Sequence, residues 1–256
     1  MNHTLVGVLG AVFLVFLVVL HSGSGAGRFL DPYSISIVFG GILVAALISF
    51  RYSQLKAMLR GLIQIFNDDP TIDLEMGQLV KFAGDYTRKD IRGAEQTIAQ
   101  TISPFLRLGF QLVVDNTPID DMMRILEWRI RQMKEEETST ARCFKNLSSA
   151  SPAFGMLGTL AGLIGMLGGL KDANIGTISS SMGLALTATA YGVIMAYLIF
   201  KPIASKLEQR TARRVFMLHV LMDGLILVRV GRGPAMVEDS LTHLLTENRD
   251  EVRGMD

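Results

Sequence analysis

The chain has 256 residues and a formal net charge of +1, with 49% hydrophobic but only 7% aromatic residues and a mean hydropathy of +0.36. An excess carried by aliphatic residues, Gly and Ala suits helices packed in lipid, and the near-zero charge supplies no field for nucleic acid. A single cysteine, Cys143, excludes an intrachain disulfide and argues against a thiolate metal cluster, while His3, His21, His219 and His243 are too scattered for an HExxH motif.

The first apolar run, Leu5 to Leu20, reaches spanning length with Thr4 and His21. A signal peptide is the competing reading. Against it, Met1 to Thr4 carry no Lys or Arg, and a second run, Ile35 to Phe50, follows at once. The short link from Ser22 to Pro32 makes the two a hairpin, with spans at about 4–21 and 33–51.

A polar segment occupies 52–148. Ile119, Met122, Met123, Leu126, Ile130 and Met133 recur at helical spacing. Thr117-Pro118 precedes them, and Asp120 and Asp121 sit in the first turn, where a helix favours acids. Residues near 73–86 and 93–113 read as two further amphipathic helices, and Asp115 to Pro118 as a turn. A third apolar run, Ala153 to Leu170, and a fourth, Ile178 to Phe200, form a second hairpin across the link Lys171 to Gly176. Their spans are expected at about 152–170 and 178–201. In the tail, Leu218 to Val230 is too short and too interrupted to span and is expected to pack on the polar segment.

The organisation expected is therefore all-α: a polytopic membrane protein with four transmembrane helices and a helical cytoplasmic domain. Its parts are a hairpin (1–51), a cytoplasmic helical segment (52–148), a second hairpin (149–202) and a cytoplasmic helical tail (203–256). Fourteen Lys and Arg fall in 51–150 and nine from 201 onward, against Arg28 and Lys171 in the links. By the positive-inside rule both termini and the polar segments face the cytoplasm.

The four spans carry no Asp, Glu, Lys or Arg in their interiors. Ionisable groups at membrane depth are the usual carriers in ion relays. Either the chain moves no ion, or a partner brings the carboxylate. Gly155, Gly158, Gly162, Gly165 and Gly169 form a stripe at spacings of three and four on the third span. Such a stripe serves close packing within one subunit, or a wall shared with other subunits or a central partner helix. Thr159, Thr187, Thr189 and Tyr191 are tolerated because hydroxyls bond their own helix, or they line a polar path. Pro152, read as the start of the third helix, and Pro202, read as the end of the fourth, are end signals or flexible coupling points. No phosphate loop, catalytic triad or metal motif is visible, so the chain is not expected to be an enzyme.

Three stretches resemble the MotA/PomA family of flagellar motor stator subunits: Pro152 to Ile164; Gly183 to Gly192 followed by Pro202-Ile-Ala-x-Lys-Leu207; and Met222-Asp-Gly224 with Gly231 and Pro234. The first two are also similar to the ExbB/TolQ family; the N-terminal hairpin and the third favour MotA/PomA. The resemblance implies a multi-pass inner-membrane homopentamer around two copies of a MotB/PomB-like partner whose single span carries an aspartate. It implies passage of H+ or Na+ without a cofactor, and a push on a FliG-type rotor protein. Carried over residue by residue, Pro152 and Pro202 match the coupling prolines, and Arg88 and Lys89 match a basic rotor-contact pair. Glu95 is the one acid near the family's acidic cluster, one position early. Thr159 resembles sodium-driven members and Ala188-Thr189 proton-driven ones, so a transient Na+ near Thr159 and Thr189 is the only metal implied. The alternative function is an ExbB/TolQ-like energiser of outer-membrane transport or envelope maintenance.

Overall fold

The computed structural model describes Gly10, Phe13 and residues 31–65, 71–171 and 174–253. The first expected span, 4–21, lies outside the described residues apart from Gly10 and Phe13. The helices are α1 (Pro32–Ser49), α2 (Tyr52–Ile65), α3 (Thr71–Thr87), α4 (Ile91–Gln100), α5 (Pro104–Val114), α6 (Ile119–Lys171), α7 (Ile175–Ile194), a π-helical segment (Met195–Phe200), α8 (Lys201–Arg229) and α9 (Pro234–Arg253). No strand occurs among the described residues.

Three helices are long and apolar enough to cross a membrane: Pro32–Ser49, Ile119–Lys171 and Ile175–Arg229, the last counting α7, the π segment and α8 as one. Their ends follow local chemistry. Asp31 caps α1, accepting from Ser34 N–H, with Pro32 where a missing N–H costs nothing. Asn174 caps α7 in the same way, accepting from Thr177 N–H at 3.1 Å.

Sequence reading misjudged three places. One helix was expected over 93–113, but it breaks between α4 and α5, because Pro104 has no N–H to donate and bars Ser103 from helical backbone. The third span was expected to start at Pro152, yet α6 runs unbroken from Ile119 to Lys171 with Pro152 inside it. One proline forfeits a single backbone bond, which a long packed helix absorbs. Pro202 likewise does not end the fourth helix, for it is the second residue of α8, directly after the π segment.

The chain forms two compact units. The first comprises 1–68 and 138–208. In it Ser34, Val38, Ile42 and Ala46 make the buried stripe of α1, four residues apart, and pack with Ala141, Phe144 and Leu147 of α6 and with Ala188 and Met195. The second unit comprises 69–137 and 209–256. Its core joins Leu79 and Phe82 of α3 with Leu106, Phe110 and Val113 of α5, Met122, Leu126 and Ile130 of α6, and Leu221, Leu225 and Leu241. Phe82 and Phe110 stack with centroids 4.0 Å apart. The apolar stretch of the tail, 218–228, thus packs on the polar segment. Glu75, almost fully buried, is paired with Arg214 at 3.4 Å.

Phe110 is fully buried and stacked. Phe110→Ala should cost about 3–5 kcal/mol, read as a lower thermal midpoint of the detergent-purified protein.

Candidate functional site

Two spans can approach closely only where both lack side-chain bulk. A Cβ placed on Gly155 of α6 would lie 3.1 Å from the Ala188 carbonyl oxygen and 3.2 Å from Thr189 Cα. On Gly162 it would lie 2.5 Å from the Ser181 carbonyl oxygen, and on Gly169 3.1 Å from Thr177 Cβ. Gly158 faces Ala188, and Gly165 faces Ser181. From α7, Gly192 reciprocates, at 2.9 Å from the Ser151 carbonyl oxygen. All five glycines therefore meet α7 of the same chain. The wall they form is intrachain, because backbone already stands where another subunit's helix would have to pack.

Around this seam lie the four hydroxyls singled out from sequence. Thr159 donates to Met156 O at 2.6 Å and Thr189 to Ala185 O at 3.0 Å, each within its own helix. The structure does not join these two by a hydrogen bond, although Thr189 Cα abuts Gly155, one turn from Thr159. Both are half-buried, which leaves part of each open to a further helix. Thr187 differs. Besides bonding Gly183 O at 2.9 Å, its hydroxyl meets that of Ser34 on α1 at 2.6 Å. Ser34 is fully buried and also donates to the Asp31 carboxylate. Tyr191 is within hydrogen-bonding reach of the Asp31 backbone. A carboxylate and three hydroxyls thus gather between α1 and α7.

Sequence reasoning passed over Asp31 and Ser34, which it assigned to a link and to a helix start. Asp31-Pro32-x-Ser34 is a helix-capping pattern and was the available signal. Among the described residues no group of three or more His, Cys, Asp or Glu is placed to hold a metal ion. Oxygen donors of this kind suit a hard monovalent cation or a proton relay rather than a transition metal.

The two prolines lie toward one end of the same seam, where Gly155 meets Gly192. Pro152 removes the N–H that would bond the Ser148 carbonyl. Ahead of Pro202 the helix widens to i→i+5 bonding over Met195–Phe200, and Lys201 N–H reaches Ala196 O. Ser148 Oγ donates to that same Ala196 carbonyl at 2.9 Å. Neither Ser148 nor the π segment was singled out from sequence.

In the second unit Arg88 and Lys89 form the turn between α3 and α4, and both are exposed. Asp90 N–H returns to Asp85 O, Lys89 N–H returns to Tyr86 O, and Lys89 adopts φ +57°. This is a Schellman cap with lysine where glycine is usual. Asp90 then caps α4 through Gly93 N–H at 3.1 Å. Glu95 lies on α4, exposed, one turn beyond. Elsewhere in this unit, burial pushes the Asp223 carboxyl up while the His219 charge pulls it back.

If the seam is the constraint, bulk on it should be ruinous and bulk beside it harmless. Gly162→Val should abolish accumulation in membranes, whereas Gly183→Ala, with nothing within 4 Å of its new methyl, should accumulate normally. Immunoblots of isolated membranes check both.

A family model described as the MotA/TolQ/ExbB proton channel family matches residues 97–219. Chemotaxis protein PomA of Vibrio alginolyticus is 31% identical, covering 96% of both chains. Uncharacterized protein YtxD of Bacillus subtilis (strain 168) is 33% identical, covering 91% of this chain and 86% of its own. The solved MotAB structure of C. jejuni superposes with a TM-score of 0.84 at 22% identity, covering 94% of each chain, and so shares the fold. On the strength of similarity to PomA along 96% of both chains and of the family model's match, joined to the glycine seam and to helices long and apolar enough to cross a membrane, the chain belongs to the MotA/PomA family of flagellar stator ion-channel subunits within the MotA/TolQ/ExbB proton channel family.

Proposed function

We propose that the chain works as a pentamer around two copies of a MotB/PomB-like, single-span partner carrying a membrane aspartate. It conducts H+ or Na+ inward and turns that flow into torque on a FliG-type rotor protein. The observation that carries this reading is the match to PomA over 96% of both chains, which takes in the N-terminal hairpin and the tail as well as the core shared with the wider channel family. Full-length similarity favours it over an ExbB/TolQ-like energiser of outer-membrane transport.

The membrane arrangement proposed is four spans in the inner membrane with both termini cytoplasmic. Support comes from the three apolar helices described, the further apolar run at 4–21, and the Lys and Arg bias. Thr159, Thr187, Thr189 and Tyr191 would border the ion path beside the partner's aspartate, and Na+ rather than H+ would draw on Thr159 and Thr189 as oxygen ligands. Pro152 and Pro202 would pass the change onward, and Arg88 and Lys89, with Glu95, would meet the rotor. An ion crossing 100 mV delivers only about 2.3 kcal/mol, so each passage drives a small step.

A strain lacking the gene should keep its filaments and stop swimming, and the wild-type gene should restore motion. Swimming speed against sodium concentration then reads the ion: dependence on Na+ fits a sodium-driven path, and indifference a proton-driven one. Normal swimming in the deletion strain, with impaired iron-complex uptake, would overturn the proposal in favour of the energiser.

At the rotor end, Arg88→Glu should reduce torque, and an acid-to-base change on the rotor should partly restore it. Wild-type torque in both strains would remove Arg88 from the contact.

A further inference from the structure

We propose that Ser148 is a positioning residue for torque coupling, holding the π segment Met195–Phe200 in register so that the backbone defects at Pro152 and Pro202 act as one joint. The proposal rests on the ion-driven stator reading and assigns a role to a side chain and a backbone segment that this reading leaves unused.

Each defect has a separate physical origin. Pro152 offers no N–H, so the Ser148 carbonyl loses its helical donor. Pro202 offers none to Leu198, and its ring would collide with that carbonyl in an ordinary α-turn. The i→i+5 widening falls over this turn, with Leu198 inside it. A π segment is in effect one inserted residue. Removing the insertion would rotate everything beyond it by about 100°. A segment one residue out of α-helical register needs something to hold it there.

Ser148 is placed to hold it. It stands four residues before Pro152, on the turn whose backbone the proline has loosened. Its hydroxyl donates at 2.9 Å to Ala196 O, the carbonyl that also accepts the i→i+5 bond from Lys201 N–H. Ala196 is fully buried, so the bond is shielded from competing water. Packing supports the same alignment: Phe144, one turn earlier, meets Phe200 with ring centroids 6.5 Å apart, and Leu147 and Met195 lie in the same buried cluster. Next to this joint, a Cβ on Gly192 would lie 3.0 Å from Gly155 Cα, so the two helices are in close backbone contact there.

The test uses the full chain, expressed with its single-span partner. Two measurements are made on Ser148→Ala and Ser148→Thr: hydrogen exchange of the backbone amides over 195–201, and stall torque in a strain lacking the native gene. Loss of the hydroxyl should speed exchange there about fivefold, the factor expected from one net hydrogen bond, and should lower torque. Threonine keeps the donor and should preserve both. Unchanged exchange in Ser148→Ala, a threonine variant that behaves like alanine, or faster exchange with undiminished torque would each overturn the proposal. Should Ser148→Ala fail to accumulate, Ser148→Val against the isosteric Ser148→Thr replaces it with the same expectations. Wild-type complementation keeps the two claims apart: failure of the wild-type gene to restore swimming counts against the stator reading, whereas restoration by wild type and Ser148→Ala alike counts against Ser148.

Discussion

In a membrane the hydrophobic effect cannot press two helices together, so contact depends on how near their backbones can come. The seam from Gly155 to Gly169 against α7 is where that dependence is met. A Cβ on Gly162 would strike the Ser181 carbonyl at 2.5 Å. Much else in the first unit follows from this closeness. With α6 and α7 locked, α1 can lay its stripe of Ser34, Val38, Ile42 and Ala46 along them and carry a buried hydroxyl to Thr187. Backbone irregularity is tolerated at this depth only when its free carbonyls are bonded again. Over Met195–Phe200 the Ala196 carbonyl takes the i→i+5 bond from Lys201 N–H and a second from the Ser148 hydroxyl.

The second unit is held by a different force. Its core is a cluster of Phe, Leu, Met and Val drawn from α3, α5, α6, α8 and α9 and stabilised by water exclusion. Two of its glycines serve side-chain packing: Gly109 makes room for Leu225, and Gly224 for Leu79 and Leu241. The chain thus folds one half by dispersion between backbones and the other by burial of side chains. Both α6 and α8 contribute residues to the two units.

What was legible in the sequence was whatever repeats with a fixed period or stands next to its own cause. The apolar runs at 35–50, 153–170 and 178–200 each fall, the first to within one residue, in one of the three helices long and apolar enough to cross a membrane, and the spacing of Met122, Leu126 and Ile130 marked a core face. The turn at Asp115 to Pro118 was visible in its residue types. The break at Ser103-Pro104 was equally local, yet apolar residues continue across it and masked it. Pro152 misled because the rule for a proline in isolation ignores the packing that sustains a helix through one lost bond. The pairing of Ser34 with Thr187 joins positions 153 residues apart, and no spacing rule reaches so far. The π segment could not be read at all, since its residues, Met195 to Phe200, look like any other apolar turn. It arises jointly from Pro202 and from what α6 places beside it.

The turn at Arg88 and Lys89 is closed by main-chain bonds, from Lys89 to Tyr86 and from Asp90 to Asp85, while its basic side chains point into solvent. Shape and charge are therefore inherited separately at this place. Replacing either side chain alters what the turn attracts without dismantling the turn, so the charge pattern is free to drift across generations in step with whatever surface it meets. Such a turn can change its charge by single substitutions and keep its form, where the glycine seam, in which shape and chemistry are the same thing, cannot.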